Sequence, residues 1–164
     1  MWRNIIPLGF LLLVAQLGWA QTGAKPAVPA GPTPTATPAD TAHLETQQTR
    51  SGVRFAFRER GTGPLAKANS RVAVRYTGFL PDGHIFDDDA ASGGPLRFRV
   101  GRGQVIAGWD ELLPLLPAGS RVRAWIPAAL AYGANGVRDP DDSTRFLIPP
   151  NTELVFELHV ISVR

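Results

Sequence analysis

From Val53 onward, apolar residues recur at every second position in a series of short runs. Val53, Phe55 and Phe57 alternate with Arg54, Ala56 and Arg58, and Val72, Val74 and Tyr76 with Arg71, Ala73 and Arg75. Phe98 and Val100 alternate with Arg97 and Arg99, and Val122 and Ala124 with Arg121 and Arg123. The last run sets Leu154, Phe156, Leu158 and Val160 against Val155, Glu157 and His159. A period of two is the mark of strands with one face buried and one wet. It places the arginines on the outward faces, where charge protects sheet edges from pairing with other chains. A single stretch has helical spacing: Trp109, Leu112, Leu113 and Leu116 fall at i, i+3, i+4 and i+7. Asp110 and Glu111 lie near its start, where the helix dipole favours acids, and Pro114 and Pro117 stop it early. One antiparallel sheet and one short apolar helix predict an α+β domain in which the sheet wraps the helix.

The segment ahead of this pattern is different. Arg3 is followed by an apolar run, Ile5–Trp19, broken by Pro7 and Gln16, and then by Gly18 and Ala20 at small-residue positions. A charged start, a short apolar core and a small-x-small end read as an export signal over 1–20, cut before Gln21. The alternative is a membrane anchor, which the proline and the shortness of the run disfavour. Residues 21–48 read as a linker. In 21–43, 18 of 23 residues are Pro, Ala, Thr or Gly, so the segment cannot bury enough apolar surface to offset its ordering entropy. Its five prolines favour an extended, semi-rigid spacer. The domain is expected over 49–164.

Composition narrows the chemistry by exclusion. There is no Cys, hence no thiol nucleophile and no thiolate metal site. G-x-S-x-G, H-E-x-x-H and Walker sequences are missing, and His43, His84 and His159 have no ligand spacing. Asp87–Asp89 and Asp139, Asp141 and Asp142 do not continue into a calcium-loop pattern, so they read as acidic turns and no metal is expected. The net charge of +3 is small and spread along the chain, so no nucleic-acid partner is expected.

What remains is a density of aromatic residues beside glycines. The pieces are Val74-Arg-Tyr76-Thr-Gly78, Asp82-Gly83-x-x-Phe86-Asp87, Val105-Ile106-x-Gly108-Trp109, Ile126-Pro127, Ala131-Tyr132-Gly133, Ile148-Pro-Pro150 and Leu154-Val-Phe156-Glu-Leu158. In this order and near this spacing they resemble the FKBP-type peptidyl-prolyl cis-trans isomerases, over residues 49–164. The resemblance implies a twisted antiparallel sheet, a half-barrel, around one short helix with an apolar pocket between them. It also implies isomerisation of X–Pro bonds, with no cofactor. Carried over by position, Tyr76, Phe86, Asp87 and Tyr132 would be the catalytic set. Val105, Ile106, Trp109, Ile148 and Phe156 would bind substrate. Trp109 would be the floor, Tyr76, Phe86 and Phe156 the walls, and Asp87 the rim. The Ile106 N–H and the Tyr132 hydroxyl would meet substrate carbonyls. Implied partners are proline-containing unfolded polypeptides and FK-type macrolide inhibitors, met by a monomer in the periplasm or cell envelope, without stable membrane insertion after cleavage. A non-catalytic module that binds proline segments or acts as a chaperone is the alternative. The chain departs from the family pattern in three places. Leu96 stands where an aromatic is common, Ser92-Gly93-Gly94 replaces a stretch that often carries an arginine for the aspartate, and 137–146 look like an insertion overhanging the pocket, expected to be a solvated loop.

Overall fold

A computed structural model of the chain describes residues 45–90, 93–142 and 144–164. The expected signal, nearly all of the linker, and Ser92 lie outside the described residues. Nine strands and one α-helix are found among those described: β1 (Thr46–Gln48), β2 (Arg54–Glu59), β3 (Arg71–Phe79), β4 (Ile85–Asp88), β5 (Leu96–Arg99), α1 (Ala107–Leu112), β6 (Arg121–Ile126), β7 (Val137–Arg138), β8 (Phe146–Ile148) and β9 (Leu154–Val163). Seven strands form one antiparallel sheet in the order β1-β2-β6-β9-β3-β4. β3 has two partners on its far edge: β5 beside residues 71–74 and β4 beside 77–79. The sheet therefore begins upstream of residue 49, with a polar edge strand that no hydrophobic alternation announces.

The inward positions are those the period of two selects. Val72, Val74 and Tyr76 of β3, Val122, Ala124 and Ile126 of β6, and Leu154, Phe156, Leu158 and Val160 of β9 are all buried. They share one core with Trp109, Leu112, Leu113 and Leu116, each fully buried Val, Leu, Ile or Phe contributing about 1.5–3 kcal/mol of transfer free energy. α1 is short, as the prolines require; a single 3₁₀ turn, Leu113–Leu115, contains Pro114 and hands the chain on towards β6. Gly108 sets how closely the helix approaches the sheet. A Cβ there would lie 2.4 Å from Cγ2 of Ile126, so the helix reaches β6 only with glycine at this position.

Asp110 does more than complement the helix dipole. Its Oδ1 accepts the Gly101 N–H at 2.8 Å and its Oδ2 the Gly103 N–H at 3.0 Å. The turn after β5 is thereby tied to the helix that follows it, which places Val105 and Ile106 against the core.

The insertion at 137–146 is not the unpaired loop expected. Its ends form a two-stranded hairpin, with Val137 opposite Ile148 and Arg138 opposite Phe146. The Arg138 guanidinium lies 4.3 Å from the centre of the Phe146 ring, and Asp139 and Asp142 fold the tip by accepting the N–H groups of Asp141 and Thr144. The charged residues stay at the surface, as their polarity predicts, and there also supply a stacking contact and turn hydrogen bonds.

Candidate active site: an aromatic cluster with two polar groups

Four strands, the helix and two loops deliver the candidate residues to one place. β3 supplies Tyr76, β4 supplies Phe86 and Asp87, β8 supplies Ile148, and β9 supplies Phe156. Gly78 of β3 stands opposite Asp87 on one side and Phe156 on the other. A Cβ on Gly78 would lie 2.6 Å from Cζ of Phe86 and 3.0 Å from Cε1 of Phe156, so the missing side chain is what lets the two rings meet over the strand. Their centroids are 5.7 Å apart at 83°. The Trp109 indole meets Tyr76 at 5.2 Å and 81°, and Phe156 at 5.3 Å and 78°. All three contacts are edge-to-face, the arrangement that the ring quadrupoles favour. Val105, Ile106 and Ile148 belong to the same buried cluster, and Tyr132 packs against it.

The rings close on one another. Trp109 and Phe156 are 0% exposed, Tyr76 3% and Phe86 8%. A ligand's ring reaches the indole in this arrangement only after neighbouring side chains move aside. Phe86 is thus largely covered; the exposed apolar residue of its strand is the preceding Ile85. The indole Nε1–H is buried and has no hydrogen-bond partner among the described residues, a state that costs about 1–3 kcal/mol. The Ile106 N–H, just ahead of α1, also has no partner among the described residues.

Two polar groups lie at the edge of this cluster. The Tyr76 hydroxyl donates to Oδ2 of Asp87 at 2.8 Å, so this buried ring also holds the carboxylate for which the sequence offers no arginine. Burial raises the Asp87 carboxyl above the usual aspartate value, and the Tyr76 hydrogen bond only partly opposes that rise. Burial, reinforced by the negative charge of Asp87, pushes the Tyr132 phenol up to about 12. Tyr132 is therefore a neutral O–H donor throughout the physiological range.

Asp89 has a role that its place in a run of three aspartates conceals. It is buried; its Oδ1 accepts the Tyr76 N–H at 3.0 Å and its Oδ2 pairs with Arg75 at 3.1 Å. It clamps the end of β4 to β3, while Asp87 two residues earlier turns to the Tyr76 hydroxyl. Strand parity does not separate two residues spaced by two; what separates them is that Asp87 lies within β4 whereas Asp89 lies just past its end. Leu96, the departure on the expected wall, is half-buried against the core.

The model of the FKBP-type peptidyl-prolyl cis-trans isomerase family matches residues 63–161. The chain belongs to this family. The outer membrane protein MIP of Legionella longbeachae is 42% identical over 114 residues, which cover 70% of this chain and 45% of that protein. The FKBP-type 22 kDa peptidyl-prolyl cis-trans isomerase of Escherichia coli K12 is 40% identical over 115 residues, covering 70% and 52%. The chain thus spans about half the length of these two relatives. Among solved structures, a peptidyl-prolyl cis-trans isomerase from Pseudomonas syringae matches with a TM-score of 0.63 at 41% identity, over 76% of this chain and 85% of that one.

Proposed function

We propose that this FKBP-type domain accelerates cis-trans rotation about X–Pro bonds, and that the cluster around Trp109 is where it does so. The observation that carries the reading is a buried set of aromatic rings whose polar neighbours are a hydrogen-bonded carboxylate and a phenol that stays protonated. Such a set holds no nucleophile paired with a base, and the reaction requires none. Amide resonance opposes rotation with a barrier of about 18–20 kcal/mol. Resonance is lost in the twisted transition state, where the carbonyl is less polar than in the planar ground state. Water stabilises the planar form; an apolar surround therefore favours the twisted one by comparison. An acceleration of ten-thousandfold asks for only about 5.5 kcal/mol of such preference. The Tyr132 hydroxyl and the Ile106 N–H supply fixed donors for the carbonyls that flank the twisting bond. Asp87, held by Tyr76, faces the imide from the rim.

The substrates on this reading are proline-containing segments of unfolded chains, and an FK-type macrolide competes for the same rings. Residues 1–20 direct export, the linker from residue 21 up to β1 spaces the domain from the site of cleavage, and the domain acts as a monomer in the cell envelope. The name of the Legionella relative, an outer membrane protein, supports that placement. The test is a coupled assay on tetrapeptides with an apolar residue before proline. Acceleration that a macrolide abolishes is the expected result. A folded protein that binds such peptides but leaves the rate at background would instead be a proline-binding module.

A further inference from the structure

The outer face of the sheet treats its arginines in two ways. Towards one end each has an acidic partner: Arg54 with Glu153, Arg58 and Arg123 with Glu157, Arg121 with Glu59, Arg75 with Asp89. At the other end, where β5, β3 and β9 run side by side, the pattern stops. There a groove of about 740 Å³ is edged by Arg71, Arg97, Arg99 and Arg164, with Ala73 and Ser162 on its floor. No Asp or Glu lines it, and none of the four arginines is in an ion pair among the described residues.

This arrangement has a cost. Arg71 stands directly opposite Arg99 in the β3–β5 pairing, and like charges so placed repel. Ala73 sits between Arg97 on one neighbouring strand and Ser162 on the other, so the side chains between the arginines are small. Some of their donors are anchored: Arg99 Nη1 reaches the Asn69 carbonyl at 3.0 Å and Arg97 Nη1 the Pro95 carbonyl at 3.5 Å. The remaining nitrogens of these two forks have no hydrogen-bond partner among the described residues. Gln104 is fixed beside them, its Oε1 accepting the Arg99 N–H at 2.8 Å, which leaves its amide hydrogens for another acceptor.

We propose that this groove is a binding site for a discrete ligand carrying two or more phosphate groups. Guanidinium forks match phosphate oxygens in pairs. A phosphate monoester carries about −1.5 to −2 near neutral pH, so two of them balance four arginines within this volume. An acidic peptide would need four carboxylates and their backbone in the same space. The groove is concave and of the size that small ligands occupy, which favours a soluble molecule over a flat membrane. It lies on the face of the sheet opposite Tyr76 and Phe156, so occupancy leaves the isomerase cluster uncovered.

The probe is inorganic tripolyphosphate, titrated calorimetrically into the full-length protein, the double variant Arg97→Gln/Arg99→Gln, and Arg54→Gln as a control from the paired end. The expected result is saturable binding at a stoichiometry of one. It should weaken at least tenfold in the double variant and with added salt, and be unchanged in Arg54→Gln. Tetrapeptide isomerisation, measured alongside, should be the same in all three proteins and so reports that the double variant is folded. Absence of saturable binding, or equal weakening in Arg54→Gln, would overturn the proposal. So would tighter binding of a poly-glutamate peptide, or retention on phosphatidylglycerol vesicles beyond that on phosphatidylcholine without any binding of tripolyphosphate.

Discussion

The two faces of one sheet obey different rules, and β3 shows both. Its inward side chains, Val74 and Tyr76, with the vacant position at Gly78, meet rings and aliphatics from the helix and β9. On its outward side Arg71 stands opposite Arg99 and Arg75 pairs with Asp89, with the small Ala73 between them. On the inner face every neighbour is constrained in shape: one added methyl at Gly78 or Gly108 has nowhere to go. On the outer face long side chains adjust and water screens them, so an exposed pair contributes about 0–1 kcal/mol. The inner face thus carries stability and the candidate chemistry together, whereas the outer face is free to carry something else.

Trp109→Ala should have the largest effect. Removing a fully buried indole should cost about 3–5 kcal/mol in urea unfolding and abolish isomerisation. A loss no larger than that from an outer-face variant would mean that the inner face does not dominate. Gly108→Ala comes next. The new Cβ must push Ile126 away, at about 1–3 kcal/mol, and thermal unfolding would reveal an unchanged midpoint if the helix can simply retreat.

Tyr132→Phe separates chemistry from packing. Losing one neutral hydrogen bond, about 1–1.5 kcal/mol, should slow tetrapeptide isomerisation by roughly five- to tenfold with little change in unfolding. Asp87 gives a pH dependence whose sign follows from its raised value. The folded state holds the proton more tightly than the unfolded chain, so this group's contribution to stability falls as pH rises from its unfolded value near 3.8 through its folded one. Asp87→Asn should remove that slope and be slightly more stable at neutral pH, yet less active. Wild-type activity, by contrast, should fall on acidification as the carboxylate takes up its proton. The smallest effect belongs to the outer face: Arg58→Ala should cost under about 1 kcal/mol, less still at high salt, and leave the rate unchanged.

These asymmetries explain what could be read from residues alone. β2, β3, β6 and β9 were legible because each buries one face against a single core, which writes a period of two into the chain. α1 was legible from four apolar positions at helical spacing. β1 was not, since Thr46–Gln48 is an exposed edge with nothing to alternate. The β7–β8 hairpin is held by short pairing and an arginine over a ring, neither of which has a period. Outward Ala56 and Val155 are buried although alternation assigns them to solvent, because Arg123 stands across from Ala56 and Trp125 from Val155. At the site, the residue types were legible through the order of the motifs. The Tyr76–Asp87 bond, the division of labour between Asp87 and Asp89, and the closure of the rings over Trp109 were not, because all three depend on which way neighbouring strands turn their side chains.

The central claim is that rotation about X–Pro is accelerated at the inner-face cluster by its shape and its two polar groups. NMR exchange spectroscopy on a Leu-Pro tetrapeptide measures cis-trans interconversion directly, without a coupling protease, in the wild-type protein and in Asp87→Asn/Tyr132→Phe. The expected result is exchange far above the uncatalysed rate with wild type, and a drop of at least tenfold in a double variant that unfolds at the same urea concentration or higher. Uncatalysed exchange with folded wild type, or an undiminished rate in the double variant, would contradict it.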